Sequence, residues 1–467
     1  MYKAFIACAL ALCFTFSAQA QAQNSSQTGR TITLQNAINI ALKNNYQIKI
    51  AENNVSQASA GYLNAKANFL PDVNASMRGG QQMGQQFNNV TISFENQTVK
   101  SASGSISAGI TLFSGWQNIY DLHRADQNKL SQKEQEVRTK ENVIFGTASA
   151  YLQVLLDQQL LEIAKENLAS SQKQLDQIKA QVEVGAKPVA DQYNQEATVA
   201  NNELTLTQNQ NTLSNDKQKL VNQLQIDPMK SYHFVSPKLD TTDIAVNKYN
   251  INKLVREALE NRSDIKSQKY AIQAAYNSLK MSESSLFPTI TFNASLSGSY
   301  NDKFINPTSR GTANPEVMPF GRQFFNKNVN KYFGFNISIP LFNRYNSRYN
   351  IESSKIQYKN AKLNLENTRL QTIQDIRQAY NDYYNYEQQL KSTNKALQAA
   401  KRAYETQQER YKVGAGTLIE LTQANAQYVQ ASSQHVQALY RLIFQEQLIN
   451  YYTGQLSPNM KFKALKF

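Results

Sequence analysis

Apolar positions along this chain follow two periods, one of three to four residues and one of two, and these succeed each other in the same order in each half. From Leu34 to about Phe69, and again from about Ile251 to Leu286, the spacing predicts a helix. Each is stopped by a proline, Pro71 or Pro288, where the chain should turn extended. Beyond each proline the period drops to two. Ile290, Phe292, Ala294 and Leu296 alternate with Thr289, Thr291, Asn293 and Ser295. Phe333, Phe335, Ile337, Ile339 and Leu341 alternate with Gly334, Asn336 and Ser338. In the first half Ile106, Ala108, Ile110 and Leu112 alternate with Ser105, Ser107, Gly109 and Thr111, and Val73, Ala75 and Met77 do so more weakly. One apolar face and one small polar face over about ten residues predicts a strand of a membrane β-barrel, although a half-buried sandwich strand shares the pattern. Polar stretches between the strands of each pair, roughly 79–100 and 301–331, predict long outer loops.

Next comes an unbroken helical stretch, from about Gln117 to Val184 and from about Asn346 to Val413, some 100 Å long at about 1.5 Å per residue. No globular core is that deep, so these helices must pack as a coiled coil or a barrel of helices. Leu161, Leu168, Leu175 and Val182 lie seven apart, with Ala164 and Ile178 at an offset of three; Leu390, Leu397, Tyr404 and Tyr411 align with the first set. Ala, Gln, Ser and Tyr dilute the stripe, which favours several close-packed helices around something wet over a two-stranded zipper. Turns at Gly185 and at Gly414 and Gly416 end the long helices, glycine suiting the left-handed position past a helix end. Helices return from Pro188 to about Leu224 and from Thr417 to about Tyr452, the second opened by a T-x-x-E capping box of Thr417 and Glu420.

The halves are copies. Leu112-Phe113, Ala150-Tyr151 and Val184-Gly185-Ala186 recur as Leu341-Phe342, Ala379-Tyr380 and Val413-Gly414-Ala415, about 229 positions later. Nearer the start of each half the offset is about 217, as from Ala41-Leu42 and Pro71 to Ala258-Leu259 and Pro288. A long unit copied once predicts two pseudo-equivalent halves about a shared axis, not a solenoid. The expected divisions are a signal peptide (1–20), a first repeat (21–226), a connector (227–250), a second repeat (251–455) and a tail (456–467).

The start of the chain reads as an export signal: Lys3, an apolar run too short to span a bilayer, then Ala18-Gln19-Ala20 as a cleavage site, with cleavage after Ala22 an equal alternative. Both cysteines, Cys8 and Cys13, lie in that segment, so the exported chain has no disulfide and no thiol ligand. No later apolar run reaches the length of a transmembrane helix. The formal charge of +14 comes from basic residues interspersed with Glu, Gln and Asn, which predicts solvated helix faces and no nucleic-acid partner. His123, His233 and His435 are scattered with no carboxylate constellation around them, so neither an enzyme nor a cofactor is expected.

Four strands per chain cannot close a barrel, and lipid tolerates no open sheet edge. Closure requires several copies: two would give eight strands and a filled bore, three would give twelve and an aqueous lumen. Aromatic residues at the strand–helix junctions, Phe113, Trp116 and Tyr120 with Phe342, Tyr345 and Tyr349, suit a girdle at the inner rim of the membrane, or else aromatic packing at a β-to-α corner.

The order of helix, strand pair, long helix, Val-Gly turn and helix, twice behind a signal, resembles the TolC family of outer-membrane efflux proteins. Its most specific parts are Tyr411-Lys412-Val413-Gly414 followed by Thr417 to Glu420, and Val184-Gly185 followed by Asp191. The resemblance implies a mainly α chain with a β-barrel portion, in a homotrimeric channel-tunnel whose twelve-stranded barrel in outer-membrane lipid continues as a periplasmic α-helical barrel. It further implies docking to a periplasmic adaptor (membrane fusion) protein and an inner-membrane transporter, to export small molecules or proteins. Tyr411 and Asp191 match two residues of the family's periplasmic gate. Gly416 stands in place of its arginine, leaving Arg410 and Lys187 as nearby cations. Glu420 matches the first acid of the pore constriction and Gln423 replaces the second, which implies one ring of three carboxylates. Capping and helix-dipole roles account for Glu420 and Asp191 without a gate. The alternative reading is a periplasmic coiled-coil adaptor or structural protein without a channel.

Overall fold

The computed structural model describes residues 30–88, 93–235, 238–239, 248–309, 316–456 and 465–466. The expected signal segment, with both cysteines, lies outside the described residues. The elements run β1 (Arg30–Ile32), α1 (Leu34–Asn44), α2 (Tyr46–Ala67), β2 (Asp72–Asn88), β3 (Ser93–Ser114), α3 (Gln117–Glu183), α4 (Val189–Leu224), β4 (Tyr232–Phe234) and β5 (Lys238–Leu239). Then follow α5 (Ile251–Asn261), α6 (Ser263–Ser284), β6 (Thr289–Asn301), α7 (Phe320–Arg322), β7 (Val329–Ser338), α8 (Asn346–Lys412), α9 (Leu418–Tyr452) and β8 (Leu465–Lys466).

Three expectations need correction. Each first helix is broken, at Asn45 and at Arg262, with nearly equal backbone angles (φ −59°, ψ 124° and φ −58°, ψ 128°). Neither break has a proline. Asn45 accepts from the Gln47 N–H at 2.8 Å and so caps the new helix. Arg262 is held by Asp264, at 2.5 and 3.0 Å. Second, most of 79–100 is strand and not loop, because β2 and β3 pair from Asp72↔Gly109 up to Asn88↔Ser93. Main-chain pairing extends this hairpin past the end of its alternating apolar face, helped by an edge-to-face contact of the opposed Phe87 and Phe94 at 5.4 Å. Third, β7 ends at Ser338, so Ile339 and Leu341 are not strand residues. Pro340 has no N–H to give a ladder.

The four long strands form one antiparallel sheet in the order β2-β3-β6-β7. Asp72↔Gly109 in the first hairpin corresponds to Thr289↔Ser338 in the second, and these pairs differ by 217 and 229, the offsets of the sequence repeat. Paired residues share a face. Ile106 and Leu296 belong to the apolar one, while Ser105 with Ser76 and Ser297 lines the polar one, where the Ser76 and Ser105 hydroxyls meet at 2.9 Å. β2 and β7 are open edges.

α3 and α8 each span 67 residues. Near the sheet α3 packs between α2 and α6; farther away it packs against α4 and α9, while α8 packs against α6 and α9. The main core lies midway along α3, where Tyr151, Leu155, Ile38, Leu220 and Leu224 are buried together. There the Tyr151 hydroxyl donates to the carbonyls of Ile32 (3.0 Å) and Val235 (2.8 Å), fixing the small parallel sheet of β1 and β4 to the long helix. A buried ionic cluster stands beside the second break. Arg138 binds Glu141 at 3.0 Å and Asp264 at 3.6 Å, and its guanidinium lies 4.2 Å from the Tyr451 ring centroid.

Candidate functional site at the helix tips and in the strand wall

Both long helices end in one backbone motif. Gly185 and Gly414 take φ of 74° and 76°. The Ala186 N–H reaches the Gln181 carbonyl at 2.7 Å, and the Ala415 N–H reaches Arg410 at 2.8 Å. These bonds satisfy carbonyls that a helix end leaves open. The capping box is formed: Thr417 Oγ1 accepts from the Glu420 N–H (3.2 Å), and Glu420 Oε2 accepts from the Thr417 N–H (3.0 Å). That backbone bond, assisted by Arg410, holds the Glu420 carboxyl below its ordinary range. Glu420 and Gln423, one helical turn apart, are both exposed.

The two tips meet through Lys187, whose ammonium lies 4.6 Å from the Tyr411 ring centroid. The Tyr411 hydroxyl is buried with no hydrogen-bond partner among the described residues. Burial first, then the charge of Asp191, pushes its pKa up. The structure therefore brings Tyr411, Asp191 and Lys187 together and leaves Glu420 and Gln423 outside that group. Arg410 turns into its own loop, donating to the Ala415 carbonyl at 3.1 Å, and Gly416 packs against it. Of the two cations near the missing family arginine, Lys187 is the one beside the tyrosine.

At the other end of the helices, Phe113 and Trp116 pack edge to face at 5.7 Å, and Tyr120 lies one turn farther along α3. Trp116, Phe342, Tyr345 and Tyr349 are exposed in the single chain, as girdle residues facing lipid would be. No described helix is long and apolar enough to cross a membrane. The sheet's apolar face is thus the surface suited to hydrocarbon, and its Ser/Thr/Asn face the one suited to water.

A model of the outer membrane efflux protein family matches residues 37–224 and 254–455. The chain belongs to this family. It is similar to the pyoverdine export outer membrane protein OpmQ of Pseudomonas aeruginosa, 24% identical over 411 residues, covering 86% of this chain and 81% of that protein. It is also similar to the outer membrane protein TolC of Vibrio cholerae, 22% identical over 365 residues, with 76% and 78% covered. Among solved structures, the CmeC outer membrane channel of Campylobacter jejuni superposes with a TM-score of 0.77 at 16% identity, over 92% of this chain and 87% of that one. VceC of Vibrio cholerae gives 0.74 at 15% identity, over 90% and 96%. The fold is that of the TolC-like channel-tunnels, and the protein is an outer-membrane efflux channel that extends into the periplasm.

Three features gave no signal in the sequence reading. In the sequence Lys187 is only one of two nearby cations, and residues 319–328 lie inside the polar stretch that predicts an outer loop. The third is a buried carboxyl pair, Asp157 on α3 and Asp216 on α4, 59 residues apart in sequence.

Proposed function

We propose that three copies close into a tunnel, and that an adaptor and an inner-membrane transporter load it from the periplasm. The carrying observation is the incomplete ring within one chain. Glu141 on α3 accepts from Ser263 Oγ at the α5–α6 break, at 3.3 Å. The repeat offsets turn this pair into Leu370 and Tyr46, which are 66% and 65% exposed. The face that α3 offers to α6 thus recurs on α8 with no described residue against Leu370's side, and α2 of a next copy is its natural cover. The open edges of β2 and β7 repeat the argument in the sheet.

The tips form the gate in this reading. Lys187 and Asp191 of one turn hold Tyr411 of the other, and Glu420 supplies one ring of three carboxylates while Gln423 leaves the second position uncharged. Charges crowded in a narrow mouth favour cations. The aromatic residues from Phe113 to Tyr120 and from Phe342 to Tyr349 form the inner girdle. The relatives named for pyoverdine, toluene or antibiotics support small molecules as cargo, chosen at the transporter, because the polar strand face is generic. Fractionation tests this account: the protein should enter the outer membrane and leave detergent as a trimer. Recovery as a soluble periplasmic monomer would refute it and leave the adaptor reading.

A further inference from the structure

The connection between β6 and β7 does not stand clear of the barrel. Its last part, α7 and a π-helical turn (Gln323–Lys327), folds back onto the sheet. Gln323 is buried and takes the place of a neighbouring strand. Its Oε1 accepts from the Asn301 N–H (3.1 Å), and its Nε2 donates to the carbonyls of Asn301 (3.0 Å) and Met318 (2.6 Å). Asn328 Nδ2 donates to the Ser299 carbonyl at 3.1 Å. So anchored, Phe324 covers the directly paired glycines Gly104 and Gly298; a Cβ on Gly104 would stand 2.7 Å from the end of its ring. Residues two apart share a strand face. Gly104 and Gly298 therefore continue the apolar rows of Ile106 and Leu296, and the fold-back covers the lipid side, not the lumen.

Its height is set by the strand. From Ile290 to Gly298 is eight residues, about 27 Å along the strand and about 20 Å at the usual tilt. That is the outer margin of an apolar band of about 25 Å. There Phe320 stacks on Phe324 (5.0 Å) and packs against Tyr300 (5.1 Å). Phe325 meets Phe324 edge-on at 5.0 Å and is 73% exposed. Arg322, Lys327 and Lys331 are exposed around these rings. None of the three makes an ion pair among the described residues. Lys331 pairs with Leu296 and so stands on the lipid face itself.

We propose that this fold-back is a docking surface for the phosphorylated glycolipid of the outer leaflet. Phe320, Phe324, Phe325 and Tyr300 sit at the upper ends of its acyl chains, and Arg322, Lys327 and Lys331 bind its phosphates. Two observations select this occupant: the surface is continuous with the lipid-facing band, and its cations have no ion-pair partner among the described residues. The paired glycines leave the shallow groove in which Phe324 lies, without which the segment would stand off the sheet. The proposal rests on the barrel standing in the outer membrane.

The test titrates full-length purified protein with lipopolysaccharide and with the same lipid stripped of its phosphates. The triple variant Arg322→Gln, Lys327→Gln, Lys331→Gln is compared with wild type. A cation near an anionic lipid surface contributes roughly fivefold in affinity, so three should be worth on the order of 100-fold. The expected result is a loss of at least about tenfold in the variant. Stripping the lipid should weaken wild type as much and the variant no further. Outer-membrane recovery and detergent-resistant assembly, read in the same preparations, should be unchanged by the three substitutions. Equal affinity of the two proteins, or undiminished binding of the stripped lipid, overturns the proposal. Absence of wild type from the outer membrane overturns the barrel reading, and the proposal with it.

Discussion

Replacing Asp157 by Asn should remove a pH dependence from the α3–α4 contact. Asp157 is 4% exposed. Its Oδ1 accepts from Gln153 Nε2 at 3.0 Å, and its other side faces the carboxyl of Asp216, which Lys219 binds at 2.5 Å. Two ionised carboxylates have no hydrogen to share, so the contact is a bond only while one of them is protonated. Burial first, and the Asp216 carboxyl second, push the Asp157 pKa up to about 7. An acid whose folded pKa exceeds its unfolded one holds an extra proton in the folded state between the two values. The stabilisation from this pair is therefore complete below about pH 4, falls as pH rises toward 7, and changes no further above it. The gap of about three units sets a ceiling near 4 kcal/mol, and about 2 kcal/mol is expected after relaxation and water entry. Hydrogen exchange around Leu155 and Leu220, corrected for intrinsic rates, reads it as local opening. Protection in wild type should decline from pH 5 to 7.5. Asp157→Asn, whose amide donates to Asp216 at every pH, should stay flat and be the better protected at pH 8. Parallel pH profiles for the two proteins would refute the reasoning.

Three further outcomes are expected. Asp264→Ala leaves Arg138 and Arg262 buried without their shared carboxylate and should cost about 3–5 kcal/mol, read as a lower melting temperature; an unchanged value would mean the cluster is solvated. Leu370→Asp places a charge on the uncovered face of α8 and should yield folded monomers by light scattering, whereas intact trimers would remove that face from the interface. Glu420→Gln keeps an oxygen that can accept from the Thr417 N–H, so the capping box survives, but it removes the carboxylate ring. Cation selectivity in planar bilayers should fall, and unchanged selectivity would confine Glu420 to capping.

Much of the architecture was legible because it rests on local periodicity. α3 and α8 start at Gln117 and Asn346 as the spacing implied, and the Thr417–Glu420 box formed because all its atoms lie within four residues. The strand faces followed for the same reason. What escaped depends on contacts distant in sequence. No proline marks the break at Arg262; besides Asp264 two residues on, the cluster that locks it includes Arg138 and Tyr451 from helices distant in sequence. The upper part of the β2–β3 hairpin lacks apolar alternation and is held mainly by backbone pairing, with the opposed Phe87 and Phe94 in ring contact, which leaves little periodic signature. Gly104 and Gly298 lie just beyond the alternating runs legible in the sequence, and nothing local shows that Phe324 lies on them. At the tip, Tyr411 and Asp191 were found by resemblance, while the contact of Lys187 with the Tyr411 ring needed both turns in space.

The claim that everything else depends on is closure of the sheet between copies. The pairing of Ser107 with Ser295, carried forward by 229 and back by 217, places Asn336 on β7 opposite Arg78 on β2 of the next copy, both on the polar, water-accessible face. The chain beyond Cys13 has no cysteine, so Asn336→Cys with Arg78→Cys makes a clean pair. Directly opposed strand residues lie within disulfide reach, their Cβ atoms about 5 Å apart. Mild oxidation should convert the double variant into a covalently closed trimer on a non-reducing denaturing gel. Moving the second cysteine from Arg78 to Asn74, about 13 Å along the strand, should abolish the link. A double variant that stays monomeric under those conditions, or cross-links equally well through Asn74, would contradict the twelve-stranded barrel.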